Sequence, residues 1–192
     1  TSVSAGSNNT PWAFDAGVRA VGEHCQRIGL DATVEVGRVA GTYHVRRRPT
    51  HQRRVSVVIP TRGTSRPVWG VRLNFVVEAV RSLVRHATHP DVEFVIVYDE
   101  VTPQPVLDAL RREAGAALRL VCYDEPFNFS RKVNVGVAAS SGELLLVLND
   151  DTELIEPASL EVMAAHLDDD DVGMVGPKLL FADGTIQDAG HV

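Results

Sequence analysis

Asn149, Asp150 and Asp151 stand directly behind the apolar run Leu144 to Leu148. Two adjacent carboxylates and an amide are hard oxygen donors. They suit a divalent cation such as Mg²⁺ or Mn²⁺, which commonly shares one or two protein carboxylates with substrate phosphates. Parallel α/β sheets bind ligands just beyond the carboxyl ends of their strands. Read as a buried parallel strand running into these residues, the segment points to metal-assisted chemistry on a phosphorylated substrate. The plainer reading is that Asn and Asp end a strand because they favour turns. What stands behind the other strands decides between the two.

Polar groups gather behind each of them. Pro60-Thr61-Arg62-Gly63 follows the run Val55 to Ile59, which Pro60 is expected to stop. Asp99 closes a second run that starts at Val92. Asn128, Ser130, Arg131, Lys132 and Asn134 follow a third, Leu118 to Tyr123. Four such clusters on one rim would form a binding crevice. Arg131 and Lys132 read equally well as phosphate contacts and as solvated surface charges. There is no GxGxxG behind the first strand and no Walker sequence, which argues against dinucleotide and P-loop sites.

The elements that must position these groups alternate. Val76, Val77, Val80, Leu83 and Val84 mark an amphipathic helix between the first two strands. Val106, Leu107, Leu110 and Ala114 mark another, opened by Pro105. Ser130 is placed to cap a helix running to Ala139, and Leu160, Met163, Ala164 and Leu167 mark one more. Repeated β-α-β units imply an α/β fold with a mostly parallel sheet flanked by helices. Short strands are expected at Val172 to Val175 and Lys178 to Phe181. Asp183-Gly184 makes a hairpin turn before Thr185-Ile186.

Upstream lies a small α+β extension. Thr10 and Pro11 open a helix whose apolar stripe is Phe14, Val18, Val21, Cys25 and Ile28, and Gly29 ends it. Two short strands follow around Val34–Val36 and Tyr43–Val45. The expected domains are residues 1–48 as this extension, 49–54 as a basic solvated linker, and 55–192 as the main domain. The acidic run Asp168 to Asp171 reads as a solvated loop.

The main domain resembles the nucleotide-binding part of family 2 glycosyltransferases with the GT-A fold. The resemblance rests on Val55-Ser56-Val57-Val58-Ile59-Pro60-Thr61, the strand ending in Asp99, and Phe127-Asn128-Phe129-Ser130 with Asn134 and Gly136. It also rests on Ser141-Gly142-Glu143, Asn149-Asp150-Asp151, and Gly176-Pro177-Lys178 through Gly184-Thr185-Ile186-Gln187. Residues 32–48 resemble the extension preceding this domain in larger bacterial members.

The resemblance implies that Pro60 and Thr61 line the base and ribose pocket. Asp99 would accept a hydrogen bond from uracil or ribose, with Asn128 and Ser130 beside the nucleotide and Asn134 bracing that loop. Asp151 would hold Mn²⁺ or Mg²⁺ against the diphosphate of a UDP-sugar or dTDP-sugar, and Asp150 would contact ribose or sugar. Asn149 stands where many members have Asp, which leaves its own ligation of the metal open. The reaction implied is an inverting transfer to a glycan or lipid-linked acceptor in bacterial surface-polysaccharide synthesis, at the inner face of the plasma membrane. Its general base is expected beyond Val192, so the chain reads as a fragment that holds the donor half. Asp183, Asp188 and His191 are not assigned to that role.

Bulk properties bound this picture. The 192 residues carry 44% apolar and 23% charged residues and a net charge of −6, enough for a real core and no membrane span. Residues 1–54 hold 8 Arg and 4 acids (+4), which leaves −10 on the remainder. A domain that acidic is a poor nucleic-acid binder. Thr1 to Thr10 is polar and lacks the basic and apolar segments of a signal peptide, from which a cytoplasmic location is expected. Cys25 and Cys122 read as reduced core residues. Two other classes stay open: a nucleotide-sugar-binding module without catalysis, and a sugar-phosphate nucleotidyltransferase. An interrupted sheet would also leave an unpaired edge prone to self-association.

Overall fold

The computed structural model describes residues 11–68 and 70–190. The reading of Thr10 as a helix cap therefore falls outside the described residues, as does His191. The chain forms two compact units, residues 52–160 and residues 1–51 together with 161–192. Among the described residues no helix is long and apolar enough to cross a membrane.

The 52–160 unit is built on a four-stranded parallel sheet. Its strands are β3 (Val55–Thr61), β6 (Val92–Asp99), β7 (Leu118–Tyr123) and β8 (Leu144–Val147), in the order β7-β6-β3-β8. Helices α2 (Phe75–His86) and α3 (Gln104–Ala114) make the two crossovers leading outward from β3 to β7, and α4 (Phe129–Ala139) makes the return to β8. Right-handed crossovers in opposite directions put α2 and α3 on one face and α4 on the other. The α/β class expected from the sequence is the one observed.

Side-chain alternation explains the two cores. Val58, Val95, Val97 and Tyr123 face α4, where they meet Val135, Val137 and Ala139. Gly136 lets α4 lie close: a side chain there would come within 2.8 Å of Val97 and meet Val58 as well. Val57, Ile59, Phe94 and Ile96, one residue out of phase, point to the opposite face. These residues and the α2 and α3 residues Val76, Val80, Leu83, Leu107 and Leu110 are all buried.

Several expectations are corrected. β3 does not stop before Pro60 but pairs with β6 as far as Thr61. Pro60 instead ends the pairing with β8. The Leu148 N–H donates to the Val58 carbonyl, so by alternation position 60 faces the same neighbour, and proline has no N–H to continue that ladder. β8 is not a fully buried strand. It lies at the sheet edge, and Leu145 and Val147 remain about half exposed.

A hairpin, β4 (Ser65–Val68) and β5 (Val71–Asn74), lies between β3 and α2, where no element was expected. Its signal was present in the alternation on either side of Trp69-Gly70, where Gly70 takes φ 82°. Residues 172–175 form no strand: Gly173 interrupts them, Gly176 follows them and no ladder pairs them. Cys122 is exposed, although Cys25 is buried, and both are free thiols.

In the other unit, α1 (Pro11–Arg27) packs on the antiparallel pair β1 (Ala32–Val36) and β2 (Tyr43–Arg47). Gly29 at φ 73° follows the helix, but Ile28, expected on its apolar stripe, is exposed. The arginines just ahead of the expected linker are not simply solvated. Arg46 and Arg47 belong to β2, and Arg47 grips Asp169 through two 2.7 Å hydrogen bonds. Nor is the acidic run a free loop, because Asp168 accepts from the Thr50 N–H at 2.6 Å. Helix α5 (Ser159–His166) leads to that run. The hairpin β9 (Leu179–Leu180) and β10 (Ile186–Asp188) turns at Asp183-Gly184, where the Asp183 carboxylate accepts from the backbone and hydroxyl of Thr185.

Candidate nucleotide-sugar site

Every candidate residue named from the sequence lies in the 52–160 unit. The carboxyl ends of β3 and β6 are tied together by Lys132, which the sequence left undecided between phosphate contact and surface charge. It is neither. Lys132 is 1% exposed, because α4 lays its stem against the sheet. Its ammonium donates to the Thr61 carbonyl at 2.7 Å and to Asp99 Oδ1 at 2.6 Å, and sits 5.6 Å from the centre of the Tyr123 ring. An unpaired buried ammonium would be very costly, and both contacts offset that cost. The pattern that could have found it is its place on α4: four residues before Gly136, it shares that glycine's sheet-facing side.

From Thr61 the network continues to the end of β8. The Thr61 hydroxyl donates to Asp150 Oδ2 at 2.6 Å and accepts from the Gly63 N–H at 2.9 Å. Gly63 adopts φ 66°, which folds the chain back over Thr61. Asn74 holds that loop in turn, donating to the Gly63 carbonyl at 2.8 Å while its other side-chain atom caps α2 at Val77. Asp99, Lys132, Thr61 and Asp150 thus form one continuous chain across three strand ends. Burial raises the pKa of Asp150, the Thr61 hydroxyl opposes this, and the neighbouring Asp151 charge adds to it.

The remaining candidates are distributed unevenly. Asn149 and Asp151 are exposed beside Asp150, in a turn closed by the Thr152 hydroxyl on the Asn149 carbonyl at 2.7 Å. Asn128, not Ser130, caps α4: its side chain accepts from the Arg131 N–H at 3.0 Å. Ser130 lies inside the first turn and is exposed. Asn134 is exposed on α4 and has no hydrogen bond to β8 among the described residues, so it does not brace that strand end. Arg131 pairs with Glu125 rather than standing free.

Among the described residues no group of three or more His, Cys, Asp or Glu side chains could hold a metal ion. The oxygen donors that are present fit a less demanding role. Asp150 already accepts from Thr61, whereas the Asp151 carboxylate is exposed at the rim. Among the described residues the Asp151 carboxylate has no hydrogen bond or ion pair, and one carboxylate completed by substrate phosphates and water is an ordinary arrangement for Mg²⁺ or Mn²⁺.

A parallel sheet flanked by helices, with its polar network across the carboxyl strand ends, defines an α/β protein whose candidate site lies where such sheets bind ligands. Residues 56–191 match the model of glycosyl transferase family 2, and the chain belongs to that family. It is 33% identical over 180 residues to the O-antigen biosynthesis protein RfbC of Myxococcus xanthus, covering 94% of this chain and 13% of that protein. It is 32% identical over 194 residues to the uncharacterized protein y4gI of Sinorhizobium fredii, covering 100% and 20%. The chain therefore spans only a small part of these relatives. Among solved structures it is similar to the mannosyltransferase PcManGT from Pyrobaculum calidifontis in complex with GDP-Man and Mn²⁺. That match has a TM-score of 0.54 and 18% identity, over 87% of this chain and 44% of the other.

Proposed function

We propose that this chain carries the donor-binding part of a metal-dependent, inverting glycosyltransferase that uses a UDP-sugar or dTDP-sugar. The observation that carries the reading is the chain Asp99–Lys132–Thr61–Asp150, ending beside the unpaired Asp151. Asp99, Pro60 and Thr61 hold the nucleoside, Asn128 and Ser130 border it, and Asp150 meets ribose or sugar. Asp151, with Asn149 alongside, holds a divalent cation against the diphosphate. Bound there, Mn²⁺ or Mg²⁺ supplies Lewis-acid neutralisation of the departing nucleoside diphosphate. The acceptor hydroxyl attacks the anomeric carbon as that bond breaks, and its proton passes to a carboxylate base not assigned to any residue here.

The family supports sugar transfer. The Myxococcus relative, an O-antigen biosynthesis protein by name, supports a role in surface-polysaccharide synthesis, with a glycan or lipid-linked acceptor at the inner membrane face. Calorimetric titration of UDP and dTDP, with and without Mn²⁺, tests the donor site. The expected result is metal-dependent binding that weakens about 100-fold in Asp151→Ala, the loss of a main charge contact, while the thermal midpoint stays unchanged. A folded chain that binds neither nucleotide would overturn the reading.

A further inference from the structure

Asp99 has two carboxylate oxygens, and the protein treats them differently. Oδ1 is consumed by the buried Lys132 ammonium at 2.6 Å. Oδ2 faces the exposed Arg62 guanidinium at 3.3 Å, on a side chain 68% exposed. A solvent-exposed cation reaches Oδ2, so an incoming donor can take its place there. Lys132 cannot be displaced in the same way, because its second bond to Thr61 and its burial fix it.

The consequence is chemical. A carboxylate with both oxygens available pairs with two adjacent N–H donors, the pattern guanine presents through N1 and its exocyclic amine. A carboxylate with one available oxygen satisfies a single N–H donor, the pattern of the uracil or thymine imide, whose N–H is flanked by two carbonyls. With Oδ1 held by Lys132, guanine would keep one donor unpaired. An imide would also be spared a carbonyl facing a bare carboxylate oxygen. Unpaired polar groups in a site are the strongest basis of discrimination between similar ligands.

We infer that Lys132 sets the base specificity of the donor site, positioning Asp99 so that it offers one acceptor oxygen and selects a pyrimidine imide over guanine. Lys132 acts through Asp99 and is a positioning residue. The inference rests on the donor-site reading proposed above.

The test is calorimetry of UDP, dTDP, GDP and inorganic pyrophosphate, each with Mn²⁺, on the chain and on Lys132→Met. The wild type is expected to bind UDP or dTDP at least about tenfold more tightly than GDP. Lys132→Met is expected to narrow that ratio to about threefold or less and to leave pyrophosphate within about twofold. Thermal melting reports whether the variant folds. If it does not, Lys132→Gln is used instead: its amide can still donate to Asp99 Oδ1, so the wild-type preference is expected to persist, and its loss in a folded Gln variant overturns the inference. A folded Lys132→Met that keeps the wild-type preference overturns the inference while leaving the donor site intact. So does a parallel loss of pyrophosphate and nucleotides, the mark of a merely structural lysine, or a wild type that prefers GDP. A folded wild type that binds no nucleotide removes the donor-site reading and this inference with it.

Discussion

The two ends of the same parallel sheet each hold a carboxylate network, and they are built to opposite rules. At the amino end, Glu93 on β6 accepts from the Ser56 hydroxyl at 2.5 Å, from the Ser141 N–H at 2.5 Å and from the Gly142 N–H at 3.1 Å. Burial pushes the Glu93 pKa up, but these donors outweigh it and hold the group below its ordinary value. Gly142 is needed there, since a side chain would fall 2.5 Å from the Ser56 hydroxyl and 2.7 Å from the Arg54 carbonyl. At the carboxyl end, Asp150 takes one short hydroxyl bond and its pKa is raised, Asp99 keeps one oxygen toward an exposed cation, and Asp151 is exposed with no hydrogen bond among the described residues. A saturated carboxylate locks a loop to a strand. An under-satisfied one is left in a state that a ligand improves, as strained or incompletely satisfied groups at functional sites commonly are.

The largest effect that would break this contrast is at the amino end. Glu93→Ala leaves the Ser141 N–H and the Ser56 hydroxyl without their acceptor, while the Gly142 N–H keeps Ser56 Oγ at 2.7 Å, and is expected to cost about 3 kcal/mol of stability. Because the folded pKa of Glu93 lies below its unfolded value of 4.5, its contribution is fully present above 4.5. It is lost as pH falls through the lower, folded value. The difference in unfolding free energy between wild type and variant should therefore be flat at neutral pH and shrink in acid. Denaturant titrations across that range measure it, and a difference that grows on acidification would contradict the assignment. Nucleotide affinity of the folded variant should stay near wild type.

A smaller effect sharpens the other side. Thr61→Val keeps shape but removes the hydroxyl that joins Asp150 to Gly63. The expected cost is about 1–2 kcal/mol in stability, together with about a tenfold loss of UDP or dTDP affinity in the presence of Mn²⁺. Loss of stability with unchanged affinity would make Thr61 a second structural device and dissolve the difference between the two ends.

How far each end was legible in the sequence follows from the same physics. The alternating strands and helices, the hairpin at Asp183-Gly184 and the clustering of polar groups behind each strand could all be read, because periodicity and turn chemistry are local. The residues that make the networks were harder. Lys132 looks like any helix-surface lysine until α4 is laid on the sheet. Glu93 looks like an ordinary acid on the entry side of a strand. Ser56 breaks an apolar run without announcing why. Each acquires its role from a partner between 33 and 71 residues away, and no local pattern encodes such a pairing. The exposed faces of β8 were missed for a related reason. An apolar run of this length reads the same at the centre of a sheet and at its edge.

The start of α4 gives the finest comparison, between two residues two positions apart that the sequence made equal candidates. Asn128 stands in extended backbone at φ −146° and ψ 110° with its side chain on the Arg131 N–H, the geometry of a true cap. Ser130, one residue into the helix, has an exposed hydroxyl and no such role. Asn128→Ala should therefore lower stability by about 1 kcal/mol, and Ser130→Ala should change it by less than about 0.5 kcal/mol. If donor binding draws on both, as proposed, the two variants will weaken UDP or dTDP by comparable factors despite their unequal stabilities. Melting curves and nucleotide titrations on the same pair of proteins separate capping from binding. A larger loss of stability in Ser130→Ala than in Asn128→Ala would return the cap to Ser130, and affinities that simply track stability would remove both residues from the donor site.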